Sequence, residues 1–328
     1  MTEQTNTTEQ INTTQPSSQN VRKPSPYLIS FSIIIAGVLI AGALLYVEGK
    51  KESGGESGNA AVSSNTAGSN APSVDTSALE ASVLPKAGVE IPALWGDMGA
   101  QMVSAGVIDK DAFATLYQSR GGITADEEQL LAGTNNGNLK ITPENSGLIL
   151  NLLWALGLGN KNPILEEGPM SDPQYGGAGG FASTGGWSLA KGGPMEHYSK
   201  HQFVALTKDQ QERVESVAKG IFRPCCNNDT FFPDCNHGMA MLGLLELMAS
   251  QNVSEADMYK AALSVNAYWF PDTYLTIAKY FAEKGIAWEE VDPRQALGVD
   301  FSSGSGYRQV LSQVTPPERK GGGGGCGV

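Results

Sequence analysis

Three histidines and four cysteines occur in this 328-residue chain, and all of them except Cys326 fall between His197 and His237. Thiolate sulfur and imidazole nitrogen are the ligands that zinc and copper prefer, so this crowding points to transition-metal chemistry. The densest stretch is RPCCNNDTFFPDCNHG, Arg223 to Gly238, with the spacing C-C-x8-C-x-H. Cys225, Cys226, Cys235 and His237 form a mixed sulfur and nitrogen set of four. Between the cysteines stand Asn227, Asn228, Asp229 and Pro233, residues that favour turns, so the loop can bring Cys235 back to Cys225 and Cys226. Adjacent cysteines depart from the usual C-x2-C knuckle, in which two ligands reach one ion without backbone strain. His197 and His201 form H-x3-H and would share one face of a helix. They are expected to back the ligand set or to form a second metal site.

Asp234 reads as the N-cap of a helix beginning at Cys235, which puts Cys235 and His237 in the first turn. Free N–H groups and the helix dipole there favour an anionic sulfur, so Cys235 should be the most acidic thiol. Three chemistries are open. The cluster can bind a zinc or copper ion. It can serve a thiol-redox or metal-dependent enzyme. In an oxidising compartment Cys235 can also pair with Cys225 or Cys226 as a structural disulfide of a non-enzymatic scaffold, stabilising the fold by ~2–3 kcal/mol. His237, two residues from Cys235, favours the metal, since a disulfide has no use for it. No G-x-S-x-G, Walker A, H-E-x-x-H or C-x-x-C motif is present. Glu246, on an otherwise apolar helical stretch, reads as its solvent-facing residue, and Met239 and Met241 read as core.

The elements that must position these residues read as mainly helical. Thr124 with Glu127 and Thr207 with Gln210 are capping-box pairs, Ser254 with Asp257 starts a further helix, and Pro271 opens another. Thr142-Pro143-Glu144 is a cap, an N1 proline and an acidic first turn, leading into the apolar run Leu148 to Leu158. Clear period-two alternation is scarce; His201 to Leu206 is a candidate short strand. Gly168 to Gly193, with GGAGGF and STGGW, reads as a long glycine-rich loop, either a binding lid or a surface insertion.

The N-terminal region is of another kind. Residues 27–47, YLISFSIIIAGVLIAGALLYV, carry no charge, and at ~1.5 Å per residue they cross a ~30 Å hydrocarbon core. The expected organisation is a disordered polar tail at 1–26, a transmembrane helix at 27–47 and a flexible Gly/Ser/Asn linker at 48–77. A mainly helical soluble domain follows at 78–317, and a Gly-rich tail with Cys326 at 318–328. Flanking basic residues tie across the span; the tether-like linker places the domain outside the cytoplasm. With a net charge of −12 and no basic run, nucleic acid is excluded as a partner.

Overall fold

Capping chemistry sets most of the helix boundaries. In the computed structural model, which describes residues 74–317, Asp75 caps α1 (Thr76–Val83), Asp109 caps a later helix (Lys110–Gln118), and Thr124 with Glu127 forms the expected capping box of the helix Ala125–Ala132. Between α1 and these lie strand β1 (Val89–Gly96) and helix α2 (Met98–Ala105); the two capped helices are α3 and α4. Strand β2 (Asn136–Ile141) pairs antiparallel with β1 in the register Val89↔Ile141 and Gly96↔Asn136, with a bulge between Glu90 and Leu94. The polar tail, the apolar span at 27–47, most of the linker and the Gly-rich tail lie outside the described residues. Among those described, no helix is long and apolar enough to cross a membrane.

The centre of the domain is a pair of apolar helices. α5 (Ser146–Gly159) and α7 (Asn236–Ser250) are buried nearly end to end. They touch backbone to backbone: a Cβ on Gly157 would run into the Met239 carbonyl, and one on Gly243 into the Leu153 carbonyl. Glycine at both positions lets the axes approach more closely than any side chain permits. Thr142 does not start α5. Its hydroxyl accepts from the Glu144 and Asn145 amides in a separate turn, and the helix begins three residues after Pro143.

Around this pair pack α6 (Lys208–Lys219), with the Thr207–Gln210 capping box, α8 (Glu255–Trp269), capped by Ser254, and α9 (Pro271–Ala282), opened by its proline. Two short helices at Pro293–Leu297 and Val299–Ser302 lead into α10 (Gly304–Leu311). The domain is therefore mainly helical, as its sequence indicates, with one small sheet.

Two expectations change. His201 to Leu206 is not a strand; only His201 makes a single bridge, to Asn160. The segment Gly168 to Gly193 is not a structureless loop. It is a chain of short helical turns, with Met170, Ser183, Thr184, Trp187 and Leu189 buried. The Trp187 indole donates to the Val107 carbonyl, and the Trp154 indole to the Ser183 carbonyl, so its aromatic and backbone groups are fixed to the core.

Candidate metal centre

The cysteine loop connects α6 to α7 and closes on itself. Phe222 bridges Asp229, and Thr230 donates its amide and its hydroxyl to the Ile221 carbonyl. One turn further, the Asp234 amide donates to the Phe232 carbonyl at 2.9 Å. The start of α10 holds the opposite side, where the Gly304 amide donates to the Cys226 carbonyl at 2.7 Å and the Ser305 amide to Asn227 Oδ1 at 2.8 Å. From the glycine-rich segment, the Ser183 amide donates to the Asp234 carbonyl. Its Tyr175 and Phe181 rings also stack with Phe232 of the loop.

Within this frame Cys225 Sγ lies 3.6 Å from Cys235 Sγ. Among the described residues, two groups bring three ligand atoms within 4.8 Å of one another: Cys225, Cys235 and His237, and Cys226, Asp234 and Cys235. Cys235 belongs to both. The four residues expected from the sequence are thus together, but as two overlapping sets hinged on Cys235 rather than one tetrahedron. Asp234 enters as a possible ligand where the sequence indicated a helix cap. The cap is Cys235 itself, whose Sγ accepts the Gly238 amide at 3.4 Å, and the helical residues begin at Asn236.

Arg223 is a member of this site that no motif in the chain singles out. Its guanidinium is fully buried and donates through Nη2 to Asp234 Oδ1 at 2.7 Å and to the Phe232 carbonyl at 3.1 Å. It packs flat on the first turn of α7: a Cβ on Gly238 would stand 2.7 Å from its Cζ. Burial opposes its charge, but the sulfurs of Cys235 and Cys226 and the Asp234 carboxylate outweigh this and hold the guanidinium protonated.

The thiols divide accordingly. Cys235 is held well below the usual thiol range, first by hydrogen bonding from Cys225 and Cys226, against its burial, and further by Arg223 and His237. Cys225 is pushed up, because it shares its hydrogen bonds with Cys226 and Cys235 and is partly desolvated. Cys226 is also raised: its bond with Cys225 works the other way and is outweighed by Cys235 and burial. The expected order of acidity therefore holds, with Cys235 the most acidic of the three thiols.

His237 is buried between aromatic rings, its centroid 4.4 Å from that of Phe270 and 5.6 Å from that of Trp269. Its Nδ1 has no hydrogen-bond partner, and neither have Nε and Nη1 of Arg223. Only Thr184 Oγ1 and Asn266 Oδ1 share that condition among the described buried side chains, and Asn266 lies on α8 one turn before Trp269. Buried polar atoms are nearly always paired, so orphans gathered at a sulfur cluster fit a site built to receive a further group. The residues present suit a metal ion: three thiols, one of them strongly acidic, and a buried imidazole whose Nδ1 has no hydrogen-bond partner.

His197 and His201 are together but elsewhere. Neither is helical: His197 follows the short turn Pro194–Glu196, and His201 sits at the bridge to Asn160. His197 Nδ1 is 3.0 Å from His201 Nε2, its Nε2 is 2.8 Å from the Lys191 carbonyl, and the two rings stack. Neither joins the two groups of ligand atoms at the cysteine loop. Burial and the neighbouring His197 lower the pKa of His201. Met239 and Met241 are wholly buried in the core, as expected, while Met195 is exposed.

Glu246 overturns its expected position. It does not face solvent but is completely buried on α7, with Oε1 accepting from Asn162 Nδ2 at 2.6 Å and Oε2 from Asn160 Nδ2 at 3.1 Å. The helix is apolar on all sides because it is enclosed on all sides, and the two asparagines come from the turn after α5.

No family model matches this chain, and neither a curated protein nor a solved structure matches it.

Proposed function

We propose that this is a single-pass, membrane-anchored protein whose extracytoplasmic domain binds a transition-metal ion, zinc or copper, through Cys225, Cys235 and His237, with Cys226 in reach of the same ion. The observation that carries the metal reading is the convergence of ligand atoms of those three residues within 4.8 Å of one another, at a place where His237 and Arg223 each keep a buried nitrogen without a hydrogen-bond partner. The membrane and its side rest on the uncharged 27–47 span and the tether-like linker after it. The test is elemental mass spectrometry of the full-length chain, purified in detergent without chelator, with free thiols counted on the same sample. About one zinc or copper per chain is expected, lost in Cys235→Ser. Absence of metal with all thiols free would sink the reading.

The 3.6 Å approach of Cys225 to Cys235 favours a second reading, a thiol-redox protein or a scaffold in which this pair closes as a disulfide. Bonding needs an S–S separation of ~2.05 Å, which a small shift of the exposed Cys225 supplies. Two thiols missing from the count, with no metal, would establish it. Reversible loss of those thiols under a glutathione couple would mark the redox protein, and a pair resistant to reduction would mark the scaffold.

A further inference from the structure

The metal-binding reading leaves the ion undecided between zinc and copper, and the inference drawn here rests on that reading and narrows it. The two groups at the cysteine loop contain one oxygen donor between them, Asp234. Both its carboxylate oxygens already accept, Oδ1 from Arg223 Nη2 at 2.7 Å and Oδ2 from Asn228 Nδ2 at 2.8 Å. Asp234 is therefore committed to the buried guanidinium and to the loop, and using it as a ligand would strip Arg223 of its counter-charge. What remains is soft: sulfur from Cys225 and Cys235 with one nitrogen from His237 in the first group, and the sulfur of Cys226, which shares a group with Cys235 but not with Cys225 or His237.

Closed zinc sites take four protein ligands in a tetrahedron and open ones take three with a water in the fourth position, while magnesium and calcium demand oxygen. Thiolate-rich sets select monovalent copper, a soft ion that is stable with three ligands. The surroundings agree. His237 is walled by Trp269 and Phe270, which keep water from its ring. Two thiolates and a neutral imidazole around a monovalent ion carry a net negative charge, and Nε and Nη1 of Arg223 are buried, charged donors with no other partner beside those sulfurs.

We propose that the site selects monovalent copper over zinc, holding it three-coordinate through Cys225, Cys235 and His237. Cys226 is the incoming ligand for exchange. Because Cys235 lies in reach of Cys226 as well as of Cys225 and His237, the ion takes up the Cys226 sulfur without leaving Cys235, and the exposed Cys225 is the ligand that faces an incoming carrier.

The test uses the full-length chain, reduced and anaerobic in detergent. It is loaded with zinc, titrated with Cu(I) in the presence of bicinchoninate, and followed by zinc release to a chromophoric chelator and by X-ray absorption at the copper edge. One equivalent of Cu(I) should displace the zinc, withstand bicinchoninate, and give a three-coordinate spectrum with two sulfurs and one nitrogen. Cys226→Ser should still hold one equivalent of copper but slow the displacement of zinc, because the incoming sulfur is gone. Cys225→Ser, a change at an exposed position that leaves the circular dichroism intact, should surrender the copper to bicinchoninate. Zinc that stays bound while bicinchoninate takes the copper overturns the selection and leaves the metal-binding reading standing. Loss of copper in Cys226→Ser, or a four-coordinate spectrum, overturns the ligand set. Failure to bind either ion overturns both.

Discussion

Helix α7 holds two buried polar sites, one at its N-terminus and one about three turns further on, and they are built on opposite terms. At Glu246 each carboxylate oxygen has its donor, Asn162 and Asn160. Those asparagines are in turn spent on the Ile164 and Val204 amides and on Gln211. At the N-terminus, Arg223 and His237 keep three buried nitrogens without partners beside three free thiols. Both sites incur the cost of desolvating polar groups. The first offsets it internally and so fixes the turn after α5 against α7; a complete network has no valence left for a ligand. The second is left open, and the atoms that are open are metal donors or the cation that compensates them. Burial of an ionisable residue is common to both sites; incomplete satisfaction is found only at the one proposed to bind metal.

The sharpest way to break this contrast is at Arg223. Arg223→Met keeps the volume and removes the charge, leaving Asp234 and the Cys235 thiolate without their compensation, and should destabilise the domain by about 3 kcal/mol in urea unfolding. A loss below about 1 kcal/mol would mean the guanidinium is not what holds the loop.

The satisfied site should respond differently. Glu246→Leu orphans two amide donors and should cost about 2 kcal/mol while leaving metal stoichiometry untouched; metal loss there would merge the two sites into one. Its pH dependence follows from burial, which holds the Glu246 carboxyl well above the ordinary carboxylate range despite the opposing bonds from Asn160 and Asn162. The folded protein then keeps this proton more tightly than the unfolded chain does. Its contribution is fully present below the unfolded value of ~4.3 and is lost as pH rises through the folded value. Comparing urea midpoints across pH, Glu246→Gln should remove that fall. The smallest effect is expected at Thr207→Ala, which deletes one capping bond of α6 for about 1 kcal/mol and should alter neither site.

Much of this was legible in the chain because its signals are local. Capping pairs three residues apart, the apolar runs of α5 and α7, and the C-C-x8-C-x-H spacing each lie within one element or one loop. The parts that were not legible depend on distant partners. Glu246 alone on an apolar helix is compatible with a solvent face or with burial, and its asparagines lie in another element. Arg223 is a residue type that is rarely buried, and what accommodates it is the missing side chain of Gly238 across the loop. In β1 the residues Ile91, Ala93 and Trp95 do alternate inward, but the outward positions between them are Pro92 and Leu94, so the polar half of the pattern is missing. The cap passed from Asp234 to Cys235 because Arg223 and Asn228 already occupy both oxygens of the aspartate.

The contact between Gly157 and Gly243 also bears on ancestry. Neither glycine touches the cysteine loop, and neither can be replaced without driving α5 and α7 apart. A lineage that lost the cysteines would still be bound by this crossing, whereas a change at one glycine would require a compensating shift of the whole opposing helix. Two glycines, one in each of two long apolar helices, with Asn160 and Asn162 after the first and a single glutamate after the second, therefore make a fingerprint of descent. It would outlast the chemistry, and it would identify a relative in which no cysteine survives.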